Sequence, residues 1–290
     1  MTTESSPSST DYVREWTDGE IRWFHRRDSS RLRYLVAGEG SPILLLHTVR
    51  TQLDYFQRVI PQLAASHRVY ALDLPGMGWS DIAPGAAYNQ ADLQSAVVEF
   101  VEGLDLTDLT LAGESIGAAI ALSASIPLAA RIRRVAASNP YDYSRGIERA
   151  NLLAAIIIPA VKAPLIGRLF ATVNIKGVLG AIMAGGFDDP KRLPDAFLNE
   201  VVRVGARPGY SRVARGIFRN LPTMIAARTV YPQITAPVDI AYGDHDWSRT
   251  SDRARNAEVI PHAVVRTWAH TGHFAAMESP ERFAALVLAE

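Results

Sequence analysis

Leu109-Thr110-Leu111-Ala112-Gly113-Glu114-Ser115-Ile116-Gly117-Ala118-Ala119-Ile120-Ala121-Leu122 decides the fold of this chain. Its first four residues suit a short strand buried on both faces, and its last five suit a closely packed helix. Between them, Gly113-Glu114-Ser115-Ile116-Gly117 has the G-x-S-x-G pattern. A serine on so sharp a strand-to-helix turn must take a strained backbone, and glycines on either side let strand and helix approach. The hydroxyl is thereby lifted above the sheet, beside helix N–H groups that carry partial positive charge. Ser115 is the candidate nucleophile, and the Ile116 N–H is a candidate oxyanion donor. Five residues match by chance often; their place between strand and helix gives the match its weight.

The same alternation extends outward. Two runs rich in aromatic and branched residues between Glu20 and Leu35, split by Arg27-Asp28-Ser29-Ser30, predict a hairpin. Ile43 to Leu46 and Val69 to Leu72 predict strands, with helical spacing of Leu53, Phe56, Ile60 and Leu63 across residues 52–65 between them. Residues 118–130 predict a helix leading to the strand Val135-Ala136-Ala137. A parallel sheet in an α/β layer architecture is the economical reading. After Asn139-Pro140 the period turns helical through residues 141–231, with stops at Pro164, Gly180, Gly185-Gly186, Pro190, Pro194 and Pro208-Gly209. Strands resume at Val238 to Tyr242 and Val264 to Trp268, and a helix is expected from His273 to Ala289. The expected organisation is a disordered lead-in at 1–18, a core of 19–140 and 232–290, and a helical insertion at 141–231.

Composition narrows the function. At 290 residues and 48% hydrophobic, the chain can bury a large core. Thirty basic and 30 acidic residues cancel, so no global field draws it to nucleic acid or an anionic membrane. The absence of cysteine removes disulfides, thiol catalysis and cysteine-ligated metals. The polar start of the chain does not read as a secretory signal, and the apolar run Leu152 to Val161, broken by Pro159 and followed by Lys162, is too short to span a bilayer. A cytoplasmic protein acting on a small molecule is the expectation, with no cofactor and no metal implied; a homodimer is compatible with the sequence.

A serine nucleophile needs a base, and the base needs an orienting acid. Each should follow a later strand. Asp246 does so within Gly243-Asp244-His245-Asp246, and His273 within His270-Thr271-Gly272-His273-Phe274. The chain order is then Ser, Asp, His. Asp244, His245 and Asp246 lack a second ligand group at metal spacing, and His47 and His270 read as loop-packing histidines.

With these blocks, Leu44-Leu45-Leu46-His47 and Asp73-Leu74-Pro75-Gly76-Met77-Gly78-Trp79-Ser80, the chain resembles the α/β-hydrolase superfamily from about residue 20 onward. The resemblance implies a mostly parallel eight-stranded sheet flanked by helices, with an inserted helical cap, and a second oxyanion donor at the Val49 N–H. Relatives usually carry His-Gly where this chain has His47-Thr48, so Thr48 is expected to restrict a turn that glycine eases. Thr48, Arg50 and Glu114 are candidate substrate-binding residues. Arg50 could pair with an anionic group, and Glu114 also suits a helix first turn. Asp142 is the alternative acid, because some relatives supply it from that region. A serine rather than an aspartate at the elbow points away from the dehalogenase and epoxide-hydrolase branches. It leaves ester hydrolysis first, with carbon–carbon, thioester and lactone hydrolysis and cofactor-free perhydrolysis beside it. The apolar insertion favours an apolar ester substrate. The rival from another class is a ligand receptor with slow or no turnover, for which Thr48 is the best support.

Overall fold

The computed structural model describes residues 11–289. One eight-stranded sheet runs through it in the order β1 (Glu20–His25), β2 (Arg31–Ala37), β4 (Arg68–Leu72), β3 (Pro42–Leu46), β5 (Leu109–Glu114), β6 (Ile132–Ser138), β7 (Val238–Gly243) and β8 (Val264–Trp268). The β1/β2 and β2/β4 pairs are antiparallel, and every later pair is parallel. Central β5 is buried along its whole length, as a parallel strand covered on both faces must be, whereas β1 alternates at the edge.

The chain leaves β3 toward β4 and later returns to β5 on the other side of β3. Right-handed crossovers in opposite directions place their helices on opposite faces. Helix α1 (Ile60–Ala64), between β3 and β4, therefore lies on one face. Helices α2 (Gln90–Gly103) and α3 (Ile116–Ala124), which precede and follow β5, lie on the other and pack on each other. The loops after β3 and β5 consequently diverge and open a crevice at the carboxyl ends of the strands, where open α/β sheets bind ligands.

Between β6 and β7 the chain forms α4 (Leu152–Lys162), α5 (Gly167–Ala171), α6 (Lys176–Ala184), α7 (Asp195–Gly205) and α8 (Tyr210–Ala227). Helix α8 buries Tyr210, Val213, Ile217, Leu221 and Met224 at helical spacing and packs on α2 and α3, fastening the inserted helices to the core. Helix α9 (Thr250–Val259) joins β7 to β8, and α10 (Ala275–Glu278) and α11 (Pro280–Leu288) end the chain, with α11 packed on α1. Among the described residues no helix is long and apolar enough to cross a membrane.

Several expectations need correction. Residues 1–10 of the expected lead-in lie outside the described residues. The rest is not disordered: Val13 is buried, and the Tyr12 hydroxyl donates to Gln57 at 2.8 Å. The helix expected at 52–65 divides into a 3₁₀ turn, Leu53–Phe56, and α1, because the Leu53 N–H is tied to Asp73 at 2.7 Å and Pro61 starts a new helical turn. The final helix divides in the same way at Pro280. Helix α2 was not anticipated, although Asn89 caps it through the Asp92 N–H and Leu93, Val97, Phe100 and Val101 form its buried stripe.

Candidate active site

Ser115 sits between β5 and α3 with φ 60° and ψ −122°, a conformation that costs a serine of the order of 1–3 kcal/mol. The surroundings hold it there. Its N–H donates to the Ser138 carbonyl, and its own carbonyl accepts from the Tyr141 N–H, both at 3.0 Å. The flanking glycines are required by space: a Cβ on Gly117 would stand 2.0 Å from the Leu46 carbonyl oxygen, and one on Gly113 would stand 2.5 Å from the Gly117 backbone. The strain aims the hydroxyl at the crevice.

His273 approaches from the loop after β8. Its Nε2 lies 2.9 Å from Ser115 Oγ, and its Nδ1 pairs with Asp246 Oδ1 from the loop after β7. An ionised carboxylate can only accept, so Nδ1 carries the proton and Nε2 accepts from the serine hydroxyl. Ser115 and His273 have no exposed surface. Burial opposes the Asp246 charge, but His273 beside it and hydrogen bonds from His273 and Ser248 outweigh that, leaving the carboxyl below its ordinary range. The Ser248 N–H reaches Asp246 Oδ2 at 2.9 Å, and the Tyr143 hydroxyl reaches it at 3.4 Å. Trp247 lies flat on the imidazole, 3.8 Å between centroids and 16° between planes, with its indole N–H anchored on the Gly185 carbonyl at 3.0 Å.

Buried polar residues hold these loops in register. Asn139 (φ 45°), at the end of β6, accepts from the Gly243 N–H at 2.9 Å and donates to the carbonyls of Gly272 and His273 at 3.2 and 3.0 Å. The Gly186 carbonyl, from the inserted helices, accepts from the His273 N–H at 2.6 Å. Glu278 accepts from the Gly272 N–H at 2.7 Å and the Asp189 N–H at 2.8 Å.

Glu114 ends β5 ahead of α3 and is not among the residues lining the apolar cavity. Its carboxylate lies buried at the end of β5. Oε1 accepts from Ser138 at 2.7 Å, the Ala275 N–H at 2.9 Å and Asn139 at 3.3 Å, while Oε2 accepts from Tyr55 and from the Ala276 N–H at 3.1 Å. It caps the free N–H groups of α10, the helix that begins two residues after His273. Burial pushes its carboxyl above the ordinary range against these hydrogen bonds.

The loop after β3 supplies the opposite wall. Among the described residues neither the Ile116 N–H nor the Val49 N–H has a hydrogen-bond partner. Thr48 imposes no strain, because the left-handed residue of this turn is Arg50 (φ 55°). The expected cost of replacing glycine therefore falls elsewhere. The Thr48 carbonyl accepts from His47 Nδ1 at 2.8 Å and from the Thr51 hydroxyl at 2.9 Å, and its own hydroxyl is buried without a partner. His47 packs the loop, accepting the Leu74 N–H on Nε2 at 3.0 Å.

Asp142 stands apart from the imidazole, bound by Arg228 at 2.6 Å and Asn256 at 2.9 Å. Asp244 binds the Thr271 N–H at 3.1 Å and His245 pairs with Asp188, so neither converges with Asp246 on a metal-sized space. No metal-binding group of side chains occurs among the described residues.

A narrow cavity of about 50 Å³ lies beside this site, among the inserted helices. Val49, Trp247 and Phe274 line its near end, and Ile158, Leu179 and Phe218 lie among the apolar residues beyond. Trp247, Asn139 and Glu278 were not anticipated as site residues. Only Trp247 had a local signal, its place directly after Asp246.

Residues 43–286 match the model of the alpha/beta hydrolase family. Haloalkane dehalogenase 2 of Mycobacterium tuberculosis is 25% identical over 277 residues, covering 93% of this chain and 94% of that one. A 2-hydroxymuconate semialdehyde hydrolase from a Pseudomonas species is 32% identical over 102 residues, 34% of this chain and 36% of that one. Among solved structures, Cfl2 from Burkholderia cenocepacia is similar with a TM-score of 0.79 at 22% identity, over 93% of this chain and 94% of that one.

Proposed function

Because the chain belongs to the alpha/beta hydrolase family, we propose that it is a serine hydrolase cleaving a carboxylic ester or related acyl compound, with an apolar part, through an acyl-enzyme. The observation that carries this reading is the hydrogen-bonded series from Asp246 through His273 to Ser115. In this mechanism Ser115 Oγ attacks the acyl carbon while His273 Nε2 takes its proton. Asp246 keeps the ring in the required tautomer and stabilises the imidazolium that forms. The unpartnered Ile116 and Val49 N–H groups receive the oxyanion, where removal of one such donor typically costs about 10²–10³ in rate. His273 then protonates the leaving group, and water repeats the sequence on the acyl-enzyme. The apolar cavity takes the apolar part of the substrate.

The serine also bears on the dehalogenase-like relatives. A carboxylate that displaces halide from a saturated carbon forms an ester, which water can cleave at its carbonyl. A serine in that position would form an ether with no carbonyl to attack, so acyl chemistry suits Ser115.

A fluorophosphonate probe followed by mass spectrometry tests the reading together with hydrolysis of p-nitrophenyl hexanoate. The label should fall on Ser115, and Ser115→Ala should lose both label and turnover. Labelling of another residue, or hydrolysis surviving in the variant, overturns the assignment.

A further inference from the structure

We propose that the substrate carries a carboxylate in addition to its reacting acyl bond, and that the guanidinium of Arg50, beside the hydroxyl of Tyr210, receives it. The proposal rests on the serine-hydrolase reading only for where the reacting bond lies.

Among the described residues lining the cavity, Arg50 alone is charged. Its Nε is enclosed and has no hydrogen-bond partner, while the rest of its guanidinium hydrogen-bonds the Tyr210 hydroxyl and lies 5.9 Å from the centre of that ring. No described carboxylate forms an ion pair with it. Arg33 meets Asp73 at 3.0 Å, Arg228 meets Asp142 at 2.6 Å and Arg134 meets Asp239, while Arg207 and Arg215 donate to backbone carbonyls. Burial lowers the affinity of Arg50 for its proton, yet a guanidinium stays cationic at neutral pH. A partly buried cation without a counter-ion carries a desolvation cost, and an apolar side chain would line this wall without it. A structural arginine would be expected to hold a carboxylate or backbone carbonyls of the fold, as those five do, and Arg50 holds neither among the described residues.

The backbone agrees with this assignment. Arg50 occupies the left-handed region (φ 55°), a strain that persists where the surroundings demand one side-chain direction. It directly follows Val49 and lines the same cavity, so a molecule held at the Val49 N–H lies within reach of the Arg50 side chain in this proposal. The planar guanidinium suits bidentate binding of a carboxylate, and its contact with the Tyr210 hydroxyl orients it.

The test compares p-nitrophenyl hemiesters of adipic and suberic acid with their methyl esters, which keep the length and lose the charge. In the wild type kcat/KM should favour at least one hemiester by about tenfold or more, the scale of a charge-assisted hydrogen bond. Arg50→Gln should bring that ratio near one, and Arg50→Lys should keep part of it. Hemiesters favoured by neither length in the wild type, or a preference unchanged in Arg50→Gln, overturn the proposal. If no ester is turned over, the hydrolase reading has failed separately, and calorimetry on the wild type decides. Adipate binding about tenfold or more tighter than adipamide supports the carboxylate site, and equal affinities overturn it.

Discussion

Glu114→Gln isolates the residue that ties the sheet to the His273 loop. The exchange preserves shape and replaces one carboxylate oxygen by an amide nitrogen. The remaining oxygen can serve Ser138, Asn139 and the Ala275 N–H, which now share Oε1. The new NH₂ group then faces Tyr55 and the Ala276 N–H. Tyr55 can rotate its hydroxyl and accept, but a backbone N–H cannot. The Ala276 N–H is left without an acceptor in a buried position, at about 1–3 kcal/mol, and the surviving hydrogen bonds lose their charge assistance. Removing a buried charge returns part of this, since burial pushes the Glu114 carboxyl upward. A net loss of about 2–4 kcal/mol follows, or a fall in Tm of about 4–10 °C for a chain of this size. Because those N–H groups open α10 just after His273, kcat for p-nitrophenyl hexanoate should fall more than KM rises. Calorimetric melting at neutral pH and steady-state kinetics measure both. A variant that melts within about 1 °C of wild type and keeps its kcat would show that the carboxylate does not hold this loop.

Ser115→Ala should lower turnover by about 10⁴ or more, because the serine and its base act as a unit, while the melting temperature does not fall. Ile158→Phe, which narrows the cavity, should shift p-nitrophenyl ester preference toward shorter acyl chains by about 1–3 kcal/mol per excluded methylene, with Ser115 still labelled; an unchanged chain-length profile would remove the cavity from substrate binding. Burial, opposed by Arg33 and reinforced by Asp73 and Glu200, pushes the Asp54 carboxyl up to about 7 from 3.8. An acid raised in the folded state binds its proton more tightly there, so its stabilisation is full below the ordinary value and is lost as pH rises through about 7. Asp54→Asn should therefore gain stability over wild type between pH 5 and 8.5, by about 2–3 kcal/mol. Melting curves at both pH values that show a constant difference would contradict this.

The strand-to-helix turn at Ser115, the buried runs of β3, β5 and β7, and the placement of Asp246 and His273 after later strands were legible in the sequence because each is a local pattern. Apolar period, a glycine beside a serine, and a polar block ending a strand report on backbone geometry within a few residues. The helical character of residues 141–231 was legible for the same reason, as was the family resemblance. The roles of Glu114 and Asn139 were not legible, since their partners at Ala275, Ala276 and His273 lie 134–162 residues away and no local period encodes such pairings. Trp247 was visible as a neighbour of Asp246, but its face-on contact with His273 exists only once β7 and β8 lie side by side. At the turn after β3 the sequence located the missing glycine at Thr48, whereas tertiary packing placed the left-handed residue at Arg50. A side chain's partners and a turn's strained position depend on what the rest of the chain brings against them, and only the folded sheet decides that.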